Sequence, residues 1–400
     1  MSIKKTPDDF RVDELLDPGF TFGETAGPFA LYRLTKTGMG TPEAIGKIAK
    51  HWMIRHAALA YAGLKDKHAK STQHLTLDCA QFSGKAPERE AGPYWSIERL
   101  GYCARAIRSS DLAGNRFRIV VRSLTPEDSR DMDRAAALLR VPGREPAALR
   151  FVNYFGDQRF GSARHGEGFL ARNLIDGDFE TALRLAVAVE HRKDHRDVKA
   201  FKRALLEGWG RWQEVLPKLR HCPERKAFEH LARHPQDYRG AFTQLPYFLQ
   251  QICVYAYQSH LWNSVARGLA AQCEGGREDR IVAEDPYGVM LFPAALTIPA
   301  EWEDLNVPLL SRKTELRAPW GETASEVLAE ENLKLEDLRI PGVRRPFFGE
   351  APRKLFVEAR GFELGPAEKE EGGGGRLMRV ASFELPPGAY ATVLLRALGE

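Results

Sequence analysis

Long hydrophobic runs are missing from this chain of 400 residues: no stretch approaches the roughly eighteen apolar residues of a transmembrane helix. The opening MSIKKTPDDF has neither an apolar core nor a small-residue cleavage site, so no secretory leader is expected. Cysteine is scarce. The five (Cys79, Cys103, Cys222, Cys253 and Cys273) are odd in number, scattered and without a CxxC pair. That excludes a disulfide framework and a cysteine-built zinc site, and sets a reducing cytoplasm as the expected compartment. Charge of one sign is nearly balanced by the other, the net being +4, which permits a nucleic-acid partner without arguing for one. No nucleotide fingerprint, nucleophile elbow, zinc-protease motif or internal repeat occurs, and nothing implies a membrane or an obligate protein partner.

What is present reads as two domains, because 400 residues exceed what one hydrophobic core usually organises. The first 148 residues are strand-rich. Thr41-Pro42-Glu43 has the form of a helix start, with Thr41 as N-cap, and the apolar residues of AIGKIAKHWMIRHAALAY predict a helix running to about Tyr61. Gly63 breaks it, GLKDKHAKST is a polar loop, and QHLTLDC and NRFRIVVRSL alternate as strands. A helix is expected from Pro126 to Arg140. From about Gly166 to Arg233 helical patterns dominate, followed by one long helix, LPYFLQQICVYAYQSHLWNSVARGLAAQ, and a shorter one near ETASEVLAEENL. Strands return in KLFVEARGFEL and GRLMRVASFEL. Their connection, GPAEKEEGGGG, lacks the Lys-Ser/Thr and following helix of a phosphate loop and reads as a floppy hairpin tip. The composition changes near 150 and 346 suggest a helical domain inserted between two halves of a strand-rich one.

Chemistry concentrates between Ala44 and Leu77, which hold Lys47, Lys50, Lys65, Lys67, Lys70, Arg55 and four histidines against a single acid, Asp66. A solitary carboxylate among cations stays ionised and could serve as nucleophile or base. Equally, Asp66 fits an Asx-type turn with the lysines on a solvated face. A second basic run, Arg99 to Arg122, sets six arginines against Asp111 and places Phe117 between Arg116 and Arg118. Aromatics interleaved with arginine suit stacked bases and phosphates, yet Phe117 also fits a strand residue facing the core. NYFGDQRFGSARHG (153–166) has the glycines, amides and two arginines of a phosphate cradle or of a strained turn. His191 and His195 stand four apart without a third ligand and read as a basic patch, not a metal site.

YAGLKDKHAKSTQ resembles the signature of the TruD family of tRNA pseudouridine synthases, whose Gly-x-Lys-Asp aspartate is the nucleophile; it maps onto Asp66. PDDFRVDEL, LAGNRF, NYFGDQRFG, AYQSHLWN and FELPPGAYATVLLRAL are similar to further family segments, in the family's order, from residue 7 to 398. The resemblance implies an α+β pseudouridine synthase fold: a mixed, mainly antiparallel sheet flanked by helices, with a mostly helical TRUD domain inserted. On that scheme 1–149 and 346–400 form the discontinuous catalytic domain and 150–345 the insertion, which is long beside shorter family members. It implies Phe10, Asn115, Phe117 and Tyr390 as substrate-site residues, Tyr390 standing where some relatives carry phenylalanine. For Lys65 three roles stay open: orienting phosphates, tuning Asp66, or pointing to solvent. The implied reaction converts uridine to pseudouridine in tRNA, at position 13, without cofactor or metal, because uracil is itself leaving group and nucleophile. Two rivals share the basic stretches: a catalytically silent RNA-binding protein, and a nuclease, which would want clustered carboxylates for metal ions.

Overall fold

The computed structural model describes residues 2–163, 165–191, 194–219 and 222–399. The N-terminal part supplies β1 (Phe10–Leu16), β2 (Phe29–Thr37), α1 (Thr41–His51), β3 (Leu59–Tyr61), β4 (Lys70–Asp78), β5 (Arg89–Gly92), β6 (Trp95–Cys103), β7 (Leu112–Leu124), α2 (Pro126–Leu139) and β8 (Ala148–Val152). The middle holds α3 (Leu170–Asp176), α4 (Phe179–Val187), α5 (Arg196–Glu207), α6 (Trp212–Val215), α7 (Arg225–Arg233), α8 (Tyr238–Thr243) and α9 (Tyr247–Gln272). It continues through the hairpin β9 (Arg280–Asp285) and β10 (Gly288–Pro293), then β11 (Asn306–Pro308) and α10 (Gly321–Glu330). After β12 (Pro352–Lys354) the chain returns to the sheet with β13 (Phe356–Leu364), β14 (Glu368–Lys369) and β15 (Leu377–Leu385) and closes on α11 (Ala391–Ala397).

One eleven-stranded sheet organises the molecule in the order β5-β6-β2-β4-β1-β7-β15-β13-β8, with β3 on β4 and β14 on β15. The β1–β4 pair is parallel and its other pairings are antiparallel, which is the mixed, mainly antiparallel sheet that the family resemblance implied. The chain leaves the sheet at Val152 and re-enters at Phe356, and these two residues face each other across the β8–β13 ladder.

Helix α1 packs its buried Ala44, Ile45, Ile48 and Ala49 on Tyr32, Leu34, Leu75 and Leu77, forming one core on the β2-β4-β6 half. A second and larger core joins Phe117, Phe151 and Phe383 of the other half to Leu174, Phe228 and Trp262 of the helical region, so the helices share the sheet's own interior.

Two sequence expectations fail around α1. The helix stops at His51, not near Tyr61, and Met53 takes a left-handed φ of 54°. The cause is an open edge: β1 covers only Lys70–Thr72 of β4, and Leu59–Tyr61 take up the vacant backbone groups opposite Leu75–Leu77. The N-cap is Gly40, and the Thr41 hydroxyl is committed elsewhere, as described below. The 365–376 connection is also better anchored than a floppy tip. Glu370 is buried, accepting hydrogen bonds from the Ser123 amide and the Lys5 ammonium, while Glu368 and Lys369 pair with β15.

Candidate active site

Asp66 sits in the loop between β3 and β4, and that loop is held from below by side chains of neighbouring strands. The buried Lys36 ammonium, on β2, donates to the carbonyls of Met39 (2.7 Å) and Asp66 (3.0 Å) and reaches that of Lys65 at 3.4 Å. The Thr41 hydroxyl accepts the Lys65 amide (2.9 Å) while donating to Gln73 Oε1 (2.7 Å), and Gln73 Nε2 donates to the Gly63 carbonyl (3.3 Å). Lys65 Nζ lies 2.7 Å from Glu14 Oε2, with both side chains buried. These contacts fix the backbone that carries the carboxylate, so positioning is built in before any ligand arrives.

The carboxylate itself makes three contacts. Oδ1 accepts the His68 amide at 3.0 Å, the Asx-type turn that local sequence chemistry suggested. Oδ2 takes the Lys4 ammonium at 2.5 Å and Gln158 Nε2 at 3.0 Å. Burial pushes the Asp66 carboxyl upward, but Lys4 and the His68 amide outweigh it and hold the group below the ordinary carboxylate range. Asp66 is therefore a turn residue and an ionised, ligand-facing carboxylate at once.

A cavity of about 230 Å³ opens above it and brings together all six residues singled out from sequence: Phe10, Lys65, Asp66, Asn115, Phe117 and Tyr390. Strand periodicity explains part of this. Asn115 and Phe117 stand two apart on β7, opposite Glu14 and Val12 of β1, so their side chains share the face that also carries Phe10. Gly114 precedes them because a Cβ there would lie 2.3 Å from the Leu385 carbonyl oxygen. Asn115 Oδ1 is buried without a hydrogen-bond partner, an acceptor left for a ligand. Phe117 stacks on Phe383 (5.5 Å between centroids) and meets Phe10 edge-on (6.2 Å), so it is a core residue whose exposed edge lines the cavity. Lys65 borders the cavity too, with its buried ammonium engaged by Glu14 and not pointing to solvent. Lys67 is exposed.

The third wall comes from the NYFG turn and the C-terminal segment. Gly156 lets the two meet, since a Cβ there would stand 3.1 Å from Thr392 Oγ1 and 3.2 Å from the Tyr390 ring. Asn263 of α9 brackets the turn, accepting the Phe155 amide (2.8 Å) and donating to the Phe155 carbonyl (3.0 Å). Arg353 donates to the Asn153 carbonyl (2.9 Å), Asn153 Oδ1 (2.8 Å) and the Gly388 carbonyl (3.1 Å), locking the segment that presents Tyr390. Sequence reading missed Lys4, Lys36, Glu14 and Gln158. Only Gln158 carried a local signal, as the amide of the aromatic-glycine loop; Arg164 of that loop lies outside the described residues.

The family model for tRNA pseudouridine synthase D (TruD) matches residues 1–292 of the chain. The chain belongs to the TruD family. Among its relatives, the probable tRNA pseudouridine synthase D of Methanopyrus kandleri is 32% identical, with 93% of this chain and 86% of that protein aligned. The tRNA pseudouridine synthase D of Aquifex aeolicus is 28% identical over 99% of this chain and 97% of its own length. The crystal structure of a putative TruD from Methanosarcina mazei superposes with a TM-score of 0.69 at 24% identity, covering 99% of this chain and 92% of that one. This likeness fixes the fold as that of TruD. Family membership assigns tRNA pseudouridylation, an isomerisation, at the level of the family. Among the described residues of this TruD chain, no group of three His, Cys, Asp or Glu side chains is placed to hold a metal ion, and no helix is long and apolar enough to cross a membrane.

Proposed function

We propose that this TruD-family chain isomerises uridine to pseudouridine at position 13 of tRNA, with Asp66 as nucleophile and no cofactor. The observation that carries the reading is the convergence on one cavity of an ionised carboxylate, three aromatic rings and an unpartnered amide oxygen. The reaction breaks the C1′–N1 bond, turns the uracil, and joins C1′ to C5; the C5 proton is lost and N1 gains one, so atoms balance without redox. Asp66 attacks C1′ of the ribose or C6 of the base. Extruding the uridine from its stack costs a few kcal/mol, and stacking on Phe10, Phe117 or Tyr390 offsets about 1–3 kcal/mol of it. Asn115 holds a polar edge of the uracil or its ribose. The same reading takes 1–149 with 346–400 as the catalytic unit and 150–345 as its insertion, supported by the pairing of the exit and return strands β8 and β13. It places the enzyme in the cytoplasm.

Incubating an unmodified tRNA transcript with the purified protein and mapping pseudouridine nucleotide by nucleotide tests this. A single new pseudouridine at position 13 is expected. Tight binding with no pseudouridine anywhere would favour a silent RNA-binding protein on the same scaffold.

A further inference from the structure

Several deeply placed arginines in this protein are neutralised by carboxylates. Arg122 pairs with Asp9, Arg150 with Glu303 and Glu358, Arg379 with Asp133, and Arg396 with Asp157 and Asp285. Arg159 breaks the pattern. It is half-buried, it forms no ion pair among the described residues, and the contact of its guanidinium that uses a hydrogen bond is Nε to Ser259 Oγ at 2.9 Å. Its carbon centre lies over the rings of Tyr255 (4.8 Å) and Phe155 (5.2 Å), which hold the plane in place. Among the described residues the two terminal nitrogens have no acceptor, and they are not sealed from solvent. The same Phe155 ring meets a second cation without a carboxylate among the described residues, Arg353, 3.9 Å from the ring centroid, but backbone and amide oxygens satisfy it. Burial holds both guanidiniums below their ordinary values, so both carry a desolvation cost that no carboxylate among the described residues offsets.

A preoriented guanidinium with an unused pair of N–H donors matches the fork geometry that binds a phosphate. Its position says which phosphate. Gln158, one residue earlier, lines the cavity and bonds to Asp66, and Phe155 packs edge-on to Tyr390 at 6.2 Å. We infer that Arg159 binds a backbone phosphate flanking the flipped uridine, through its two terminal nitrogens. This rests on the functional reading above and adds a ligand contact to it: the NYFGDQRFG turn then reads the target on two sides, base-ward through Gln158 and backbone-ward through Arg159.

Equilibrium binding of an unmodified tRNA transcript, in an Asp66→Asn background that halts turnover, separates this role from a structural one. Arg159→Gln should weaken binding on the order of tenfold or more and reduce the slope of log Kd against log[KCl] by about one phosphate contact. Ser259→Ala, which removes only the protein partner of Nε, should leave the slope unchanged. Transcripts with a neutral methylphosphonate at the linkage 5′ or 3′ of the target uridine complete the cycle: at one of the two, the substitution should weaken the Arg159 protein but not the Arg159→Gln protein. Slopes that coincide for Arg159 and Gln, or additive losses at both linkages, overturn the assignment. Pseudouridine formation by the wild type is scored separately, so an active enzyme with coincident slopes rejects this inference and leaves the functional reading standing.

Discussion

Lys4 Nζ lies 2.5 Å from Asp66 Oδ2 and 4.4 Å from the centre of the Phe10 ring, so one cation ties the N-terminal segment to both the carboxylate and an aromatic wall of the cavity. Neither Lys65 nor Lys67, the lysines that flank Asp66 in sequence, makes this contact; Lys65 is paired with Glu14 and Lys67 is exposed.

The ion pair predicts a pH effect. With Lys4 replaced by methionine, burial still penalises the Asp66 charge while its main counter-charge is gone, so the carboxyl value rises. The proposed nucleophilic role needs the ionised form, so the acid limb of kcat/KM should move to higher pH in Lys4→Met and stay in place in Lys5→Met. The stability arm follows the same sign. A carboxylate depressed in the folded state contributes stability above its unfolded value and loses it as pH falls, and Lys4→Met should lack that contribution. Coincident pH profiles for wild type and Lys4→Met would refute it.

Lys36 holds the loop through its backbone carbonyls. Lys36→Met removes the donor shared by the carbonyls of Met39, Lys65 and Asp66 and frees the loop that aims the carboxylate. Misplacement by about 1 Å can cost on the order of 100-fold in rate, so kcat should fall by that order while far-ultraviolet circular dichroism is kept. Activity within about twofold of wild type would show that the loop holds its shape without the lysine.

Phe117 carries two duties, and its substitutions should separate them. Phe117→Ala opens a hole against Phe383 and Phe10 and should cost about 3–5 kcal/mol in urea denaturation, besides slowing turnover. Phe117→Leu retains most of the volume but no ring; a smaller stability loss with a persistent kcat defect is expected. Full activity in the leucine variant would remove the stacking role and leave only packing.

Away from the cavity, Asp285 is buried beside Asp157 and Arg396. Burial and the neighbouring Asp157 carboxylate, which accepts a hydrogen bond from the protonated form of Asp285, push its carboxyl up, to about 6, despite Arg396. A value raised above the unfolded one means stability fully present below about pH 4 and lost as pH climbs through about 6. Asp285→Asn cannot titrate, so its melting temperature relative to wild type should improve between pH 5 and pH 7.5. A constant difference across that range would contradict the raised Asp285 carboxyl.

Periodicity made the frame legible: α9, the alternating strands β4, β7, β13 and β15, and the helix α2 all stand where pattern placed them. The helical pattern over 41–61 misled because an open edge of β4 outweighs local preference for Leu59–Tyr61, a tertiary effect with no local signature. In the site, Asn115 and Phe117 could be paired by their two-residue spacing, whereas Lys4, Lys36 and Gln158 lie 62, 30 and 92 residues from Asp66 and meet it only through sheet order. Composition hid their place because nearness in sequence is not nearness in space.

The most direct measurement is tritium release from C5-labelled uridine in a tRNA transcript, with wild type beside Asp66→Asn. Replacing the carboxylate by an amide keeps the size of the side chain and removes one negative charge from a cationic site, so tRNA binding should be nearly unchanged. Release by wild type and none by Asp66→Asn is the predicted result. Release at a comparable rate by Asp66→Asn would contradict the assignment of Asp66 as the nucleophile.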